Sequence, residues 1–291
     1  MAYLWAAVLV VACVLTGVLG NNRLVTTTYR AALPGLRTPL RVVHLSDLHG
    51  KRFGRRDDRL LSAVRDLKPD LIAFSGDLLC KGRDVTVRAI EQIRVLSEIA
   101  PVAVCRGNHD LDPAQWSGLS QGLLTEVRHD QVYVLRNEVI EFAIGENVLT
   151  LAGVDDPAAY DEEHELFLKA LGELSDRASQ LSQPRILLSH RPEFIDRYAA
   201  TSFQLSLSGH AHGGQIRLPL VGALWAPKQG VLPRHSDGIH HIGSLTAVVS
   251  RGLGSSSFPP RFLNPPEIVA IDCAVEVVTC TSAPTRCRSD Q

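Results

Sequence analysis

Carboxylate, imidazole and amide side chains follow five short apolar runs of this 291-residue chain, at the point where each run ends. Such mixtures without a thiolate are typical of sites for Mn, Fe or Zn ions. The candidates are Asp47, His49, Asp77, Asn108, His109, Asp110, His190, His210 and His212. About seven ligands exceed the four that one tetrahedral ion takes, so the set predicts two divalent ions about 3.5–4 Å apart.

Asp77 is the expected shared ligand of the two ions, because one carboxylate has two oxygens and can contact both. The stretch GHAHGGQ, residues 209–215, contains His210 and His212 at two-residue spacing. Residues i and i+2 of an extended strand share one face, about 6.5 Å apart. We therefore expect each imidazole to reach a different ion.

The five apolar runs predict buried strands, because they are rich in apolar and β-branched residues and too short for helices. They cover residues 41–46, 71–75, 102–105, 185–189 and 203–208. Amphipathic patterns over residues 57–67 and 85–99 predict helices between the first three strands, which indicates parallel βαβ units. The carboxyl ends of parallel strands meet at one edge of a sheet, where ligands bind. The elements therefore predict an α/β fold that gathers the candidate ligands.

Other strands follow in the middle and at the end of the chain. They are predicted over residues 131–136, 139–144, 148–152, 245–250 and 267–271. The turn-like tripeptides RNE and GEN separate the first three, which indicates antiparallel pairing. A helix is expected over residues 161–174, and the Pro-rich stretch FPPRFLNPPE is expected to be a connecting loop.

The motifs DLH, GD, GNHD, SH and GHAH occur in this order, and with them the chain resembles the calcineurin-like metallophosphoesterases over about residues 41–272. The resemblance implies a four-layer α/β/β/α sandwich of two mixed sheets, the metallo-dependent phosphatase fold. It implies that His109 is the catalytic histidine at the leaving group, steered by Asp110. The implied ligands are Asp47, His49, Asp77 and His212 for one metal, and Asp77, Asn108, His190 and His210 for the other.

The implied chemistry is hydrolysis of a phosphoester. Two ions lower the pKa of a bound water, so that hydroxide forms near neutral pH and attacks phosphorus in line. Manganese is the expected metal, with iron and zinc as alternatives. His109 would donate a proton to the departing oxygen. Arg106, Arg191 and Trp225 are further candidates for substrate binding, the two arginines as clamps on a phosphoryl oxygen.

The N-terminal stretch from Met1 to Gly20 carries no charged side chain and is close to the length of a membrane-spanning helix. A cleaved signal peptide and a lipoprotein-type VVAC at Cys13 are alternatives, but both expect a basic segment before the apolar run. The interpretation is a transmembrane anchor at residues 1–22, a linker at 23–40, the metallophosphoesterase domain at 41–275 and a tail at 276–291.

The basic residues near the anchor come after it, at Arg23, Arg30, Arg37 and Arg41. By the positive-inside rule, this distribution places the domain on the cytoplasmic side. The expectation is a single-pass protein of the inner membrane. A formal net charge of −1 argues against a nucleic-acid polymer as partner.

The stretch GHAHGGQIRLPLVGALWAPKQG is similar to a membrane-associated bacterial branch of the family. That branch contains phosphodiesterases and enzymes that cleave the pyrophosphate of UDP-2,3-diacylglucosamine in lipid A synthesis. Its apolar side chains either pack on the core or contact acyl chains. They are Leu218, Leu220, Val221, Leu224 and Trp225.

With the anchor, this stretch favours a lipid-linked phosphoester or pyrophosphate as the substrate. The alternatives are a phosphodiesterase for soluble nucleotides or cell-wall esters, and a metal-binding interaction scaffold without catalysis.

The remaining cysteines and histidines carry little functional signal. The cysteines lack CxxC spacing, which indicates no zinc motif, and reduced thiols are expected. They are Cys13, Cys80, Cys105, Cys273, Cys280 and Cys287, with a disulfide among the last three left open. His44 lies inside the first predicted strand and is expected to be structural, with its imidazole bonded to backbone.

Overall fold

The computed structural model describes residues 20–79, 83–111, 131–255 and 261–275, together with residues 1, 3, 5 and 17. The helices are α1 (Asp58–Asp66), α2 (Arg83–Ser97), α3 (His164–Ser179) and α4 (Ile195–Tyr198). The strands are β1 (Val25–Leu33), β2 (Leu40–Leu45), β3 (Leu71–Ser75), β4 (Val102–Cys105), β5 (Val132–Val134), β6 (Glu138–Ile144), β7 (Asn147–Gly153), β8 (Arg185–Leu188), β9 (Leu205–Ser208), β10 (Arg217–Leu218), β11 (Gly222–Ala223), β12 (Trp225–Ala226), β13 (Gly230–Val231), β14 (Gly238–Ile242), β15 (Leu245–Val249) and β16 (Glu267–Val275).

Two mixed sheets of six strands each form the centre of the fold. The first has the order β1-β16-β2-β3-β4-β5, and the second has the order β14-β15-β9-β8-β7-β6. In the first sheet β16 is antiparallel to β2 and the other neighbours are parallel. In the second sheet the pairs β14·β15 and β6·β7 are antiparallel and the other neighbours are parallel.

Alternate side chains of each sheet pack into different cores, as the two-residue period of a strand requires. On β2, Val42 packs between the two sheets, whereas Val43 packs under α1 and α2. On β8, Ile186 packs between the sheets, whereas Leu187 packs against Phe167 of α3. The layers therefore follow the order helix, sheet, sheet, helix, which is the architecture that the resemblance implies.

The region from residue 23 to residue 40 is not only a linker, in contrast to the sequence prediction. Its residues 25–33 form β1, which pairs in parallel with β16 from Val25·Glu267 to Leu33·Val275. The first six residues of β1 alternate between half-buried and exposed. Such a strand at the edge of a sheet has the polar composition of a linker, and its partner lies at the other end of the chain.

The predicted strand over residues 131–136 joins a different partner from the one expected. It forms β5, which pairs in parallel with β4 in the first sheet. The antiparallel hairpin of β6 and β7 lies in the second sheet, and its prediction is confirmed. A turn-like tripeptide such as RNE marks where a strand ends, but it does not determine which sheet the next strand enters.

Among the described residues, no helix is both long and apolar enough to cross a bilayer. Most of the predicted anchor at residues 1–22 lies outside them, and so does the whole tail at 276–291. Four cysteines also lie outside them, namely Cys13, Cys80, Cys280 and Cys287. Cys105 and Cys273 are buried free thiols.

Candidate metal centre

The predicted ligands converge at the carboxyl ends of β2, β3, β4, β8 and β9, an edge that we call the site edge. Each ligand lies within four residues of the end of its strand. Asp47 and His190 are fully buried and Asp77 is 1% exposed. Buried carboxylates and imidazoles of this kind require partners of opposite charge or a metal ion.

One group of ligand atoms comes from Asp47, His49 and His212, all within 4.8 Å of one another. The Nε2 atom of His212 lies 3.3 Å from Nε2 of His49 and 3.4 Å from Oδ1 of Asp47. The Asp47 carboxylate also accepts hydrogen bonds from the Ser46 hydroxyl at 2.6 Å and from the His210 backbone at 3.1 Å. These bonds hold the carboxylate in place toward the two imidazoles.

A second group comes from Asp77, His190 and His210, again within 4.8 Å of one another. The Nδ1 atom of His190 lies 2.8 Å from the Ser75 carbonyl oxygen, so Nδ1 carries a proton and Nε2 is the ring atom that faces the other ligands. A hydrogen bond of this kind from the outer nitrogen is the usual support of a metal-binding histidine.

Three buried atoms of ligand type have no hydrogen-bond partner in the described part of the chain. They are Oδ1 of Asn108, Nε2 of His190 and Nε2 of His210. Buried polar atoms are nearly always paired, so three convergent unpaired atoms need an explanation. A divalent cation fits, because an amide oxygen and two imidazole nitrogens are ligands for Mn, Fe and Zn.

The carboxylate of Asp77 joins the two groups, and with His49 and His109 it forms a third set of ligand-type atoms within 4.8 Å of one another. Its Oδ2 atom lies 3.2 Å from Nε2 of His190 and 3.6 Å from Nε2 of His49. Its Oδ1 atom accepts the backbone N–H of His109 at 2.9 Å. This position between a ligand of each group is the one that the sequence analysis expects for a shared ligand.

Burial and the nearby charges set the protonation states of the two groups. Burial lowers the pKa of His49 to about 4 and that of His212 to about 3, which keeps both imidazoles neutral as metal binding requires. Burial alone would raise the pKa of Asp77, but the charge of His190 outweighs it and holds this pKa well below its usual value. Burial alone would lower the pKa of His190, but the Asp77 carboxylate raises it to about 10. A metal ion at Nε2 would replace the second proton of cationic His190.

The backbone at the ligands is left-handed rather than extended. His210 and His212 have φ values of 62° and 49°, with right-handed Ala211 between them at φ −72°. The expectation that both histidines lie on an extended strand is therefore wrong, because β9 ends at Ser208. The two imidazoles nevertheless belong to different groups.

Two glycines allow the loops to approach the carboxylates closely. A Cβ atom on Gly209 would lie 1.8 Å from Oγ of Ser46 and 2.3 Å from Oδ2 of Asp47. A Cβ atom on Gly107 would lie 2.3 Å from Oδ1 of Asp77. Any other residue at these positions would displace a ligand.

Asp110 contacts backbone amides rather than the imidazole of His109. Its carboxylate accepts the N–H groups of Asp77 at 2.7 Å, Leu79 at 2.9 Å and Gly107 at 2.9 Å. Asp110 thus ties the loop after β3 to the loop after β4, which corrects the role expected from the resemblance. Burial, with the Asp77 charge, raises the pKa of Asp110 to about 7.

A cavity of about 520 Å³ opens over the ligands. Its polar floor consists of Asp77, Asn108, His109, His210 and His212. The other wall is largely apolar and comes from Trp225 of β12 and from residues that flank the ribbons β10·β11 and β12·β13, which follow His212. The wall residues are Gly214, Gln215, Ile216, Leu224, Trp225 and Pro227.

Arg106 and Arg191 do not line this cavity. The Arg106 guanidinium pairs with Asp155, with Nε at 2.8 Å from Oδ1. Arg191 is buried and binds Asp156 in a bidentate pair at 2.6 and 2.8 Å. The proposed role as phosphate clamps is corrected to a structural one, because both guanidinium groups are held by carboxylates.

Sequence reasoning missed two residues that support His212. Arg261 is fully buried, and its Nη2 atom lies 3.3 Å from Nδ1 of His212. Asn264 donates to the His212 carbonyl oxygen at 2.6 Å. Both come from the Pro-rich stretch interpreted as a connecting loop. No motif marks them, because arginine and asparagine are mostly surface residues.

His44 is structural as expected, but its Nε2 atom bonds the Ser75 hydroxyl at 2.7 Å rather than a backbone group.

Comparison with known proteins agrees with this geometry. The family model for calcineurin-like phosphoesterases matches residues 40–214. The uncharacterized metallophosphoesterase YkuE of Bacillus subtilis is 31% identical over 233 residues, which cover 78% of this chain and 77% of YkuE. Phosphodiesterase YaeI of Escherichia coli is 29% identical over 222 residues, which cover 75% of this chain and 76% of YaeI.

A solved structure, that of the Haemophilus influenzae NAD nucleotidase (NadN), shares the fold with a TM-score of 0.50 at 14% identity. The match covers 74% of this chain and 45% of that one. The chain therefore belongs to the calcineurin-like phosphoesterases, a family of metal-dependent phosphoester hydrolases.

Proposed function

We propose that this protein is a two-metal phosphodiesterase whose substrate is linked to a membrane lipid. The observation that carries the metal part is the convergence of three unpaired ligand atoms, from Asn108, His190 and His210, beside the shared carboxylate of Asp77. A carboxylate, an amide and imidazoles form a donor set suited to Mn, with Fe or Zn as alternatives.

Asp47, His49, Asp77 and His212 would hold one ion, and Asp77, Asn108, His190 and His210 the other. When bound, the ions lower the pKa of a water and neutralise charge on phosphoryl oxygens. The chain's own part is to hold these ligands rigidly, through the bonds from Ser46, Ser75 and Asp110 described above.

His109 acts at the leaving group in this proposal. It lines the cavity, and its ring contacts the His49 ring edge-on with centroids 4.9 Å apart. An imidazole that lines the cavity can reach the departing oxygen and donate a proton to it. Asp110 has an indirect role, since it positions the loops that carry Asp77 and His109.

The largely apolar cavity wall supports a substrate with an apolar part beside its phosphate, such as UDP-2,3-diacylglucosamine. Trp225 lies in this wall and is 52% exposed, as a group that contacts a substrate or an interface would be.

With residues 1–22 as the anchor, the protein would be a single-pass inner-membrane protein with a cytoplasmic domain. The competing substrate class is a soluble nucleotide or cell-wall diester. The relative YaeI is named a phosphodiesterase, which agrees with this class equally well.

A substrate panel on the full chain tests this function. The panel contains an aryl phosphodiester, an aryl phosphomonoester and a UDP-linked diacyl lipid, each with Mn and with a chelator. Mn-dependent hydrolysis of the diester with preference for the lipid is the expected result. A variant without residues 1–22 should lose turnover of the lipid in vesicles and keep that of the aryl diester. No Mn-dependent hydrolysis of any compound would favour the interaction scaffold instead.

A further inference from the structure

We infer that the site edge lies against the anionic surface of a bilayer, through acidic phospholipid headgroups bound in a groove that we call the basic groove. Its lining includes Arg52, Arg55, Arg56 and Arg88. The inference rests on the proposed anchor but not on the proposed hydrolysis.

The chain that precedes β1 leaves the domain at the site edge. Val25 pairs with Glu267 at the start of β16, and β16 is antiparallel to β2. The beginning of β1 therefore lies beside the carboxyl end of β2, where Asp47 follows. The Lys51 ammonium bonds Oδ1 of Asn21 at 3.1 Å, which places the preceding segment two residues from His49. The described residues 20–24 thus lie on the side of the metal centre rather than on the far side of the domain, so an anchor that precedes them would begin there.

The basic groove has a volume of about 690 Å³ and lies between the start of α1 and the middle of α2. Within the described ranges, no acidic side chain lies within ion-pair distance of Arg52, Arg55 or Arg56. Two acidic residues, Asp57 and Glu91, also line the groove beside its four arginines, and the Oδ1 atom of Asp57 accepts the backbone N–H of Phe53 at 2.9 Å. Arg52, Arg55 and Arg56 are exposed and have no carboxylate partner among the described residues, so they are free to bind an anion from outside the chain, and phosphate oxygens suit their planar donors.

Exposed apolar side chains follow His212 of the same centre in the chain. The ribbons β10·β11 and β12·β13 and their turns carry Leu220, Val221, Trp225, Val231 and Leu232, each more than half exposed. The basic groove follows His49 in the chain and the ribbons follow His212, whose Nε2 atoms are 3.3 Å apart. Apolar and basic groups around one edge, next to an apolar N-terminal segment, match a lipid interface better than a soluble anion.

This placement also changes which basic residues lie beside the predicted anchor. Arg30 lies in β1, and Arg41 lies in β2 and pairs with Asp272 at 2.7 Å, so neither belongs to a free basic linker. Beside Arg23, the basic residues near the predicted anchor are Lys51 and Arg59, which contact Asn21 and Asn22. A lipid-linked phosphoester in the same leaflet would lie directly below the cavity.

Hydrogen exchange measured by mass spectrometry on the full chain tests the inference. The chain is placed in lipid nanodiscs of phosphatidylcholine, or of equal parts phosphatidylcholine and phosphatidylglycerol. Residues 51–59 and 218–232 should exchange several-fold more slowly in the anionic discs. A triple variant, Arg52→Glu with Arg55→Glu and Arg56→Glu, should return residues 51–59 to the rate in neutral discs while exchange in β3 stays unchanged.

A matched control reverses three exposed charges away from the site edge, through Arg37→Glu, Arg65→Glu and Lys169→Glu. It should retain the slow exchange of residues 51–59 in anionic discs. Equal rates in both kinds of disc, or equal loss of protection in the control, would overturn the inference while leaving the anchor intact. Failure of the chain to associate with either disc would overturn the inference and the anchor together. Hydrolysis of the aryl diester remains an independent test of the enzyme.

Discussion

The Nε2 atom of His190 lies 3.2 Å from Oδ2 of Asp77, while Nδ1 of the same ring contacts the Ser75 carbonyl oxygen at 2.8 Å. The imidazole is thus fixed by the backbone of β3 on one side and directed at a carboxylate of the next loop on the other. Because this carboxylate also lies 3.6 Å from His49, a change at Asp77 should affect both groups of ligands.

Asp77→Asn should remove most of the activity and at least one of the two ions. The amide keeps the shape of the side chain but loses the negative charge that two cations share. Loss of a residue that only supports a ligand costs 10- to 100-fold, so we expect at least about 100-fold lower kcat/KM. The measurement combines aryl diester hydrolysis with metal analysis of the purified protein. Asp272→Asn, a carboxylate at the opposite edge, is the control and should change neither.

His109→Ala should lower kcat by about 100- to 10,000-fold, the usual contribution of a general acid. Metal content should stay at the wild-type value, because the Asp77 oxygen contacts the backbone N–H at residue 109, which alanine keeps. Steady-state kinetics and metal analysis check both statements. His240→Ala is the matched control. Wild-type turnover by His109→Ala would remove this histidine from the mechanism.

Arg191→Met should act on stability rather than on substrate affinity. Removal of the guanidinium leaves the buried carboxylate of Asp156 without its bidentate partner, at a cost of about 3–5 kcal/mol. The double variant with Asp156→Asn should recover part of this loss. Denaturant unfolding measures the free energies, and KM of the folded fraction should stay within about twofold of wild type. A large rise in KM at unchanged stability would instead indicate that Arg191 binds a phosphoryl oxygen of the substrate.

The substitution His44→Gln should make the free energy of unfolding less dependent on pH below pH 7. Burial lowers the pKa of His44 from 6.5 to about 3, so between these values the unfolded chain binds a proton that the folded chain does not. The free energy of unfolding therefore decreases as pH falls through this range, by about 1.4 kcal/mol per pH unit. From pH 6.5 to pH 5, wild type should lose about 2 kcal/mol more than the variant. Denaturant unfolding with a chelator present measures both curves, and parallel curves would contradict the assignment.

The strands that carry the ligands were predictable because each is a short apolar run ending in a polar cluster. Strands β3 and β4 match the predicted residues, and β2, β8 and β9 differ by at most two residues at either end. Parallel strands that are buried on both faces appear in the sequence as continuous apolar runs. Strand β1 has no such run, because an edge strand with one polar face has the composition of a linker.

The sequence by itself determined the α/β class, the order of the ligand strands and the identity of the candidate ligands, since these depend on residue type and local spacing. Only the tertiary structure decided that Asp110 binds loop amides, that Arg106 and Arg191 pair with Asp155 and Asp156, and that Arg261 supports His212. It also brought Lys51, next in the chain to the basic groove, into contact with Asn21. The physical reason is that hydrogen bonds and ion pairs of long or buried side chains join residues far apart in the chain, and no local pattern records which partner each one finds.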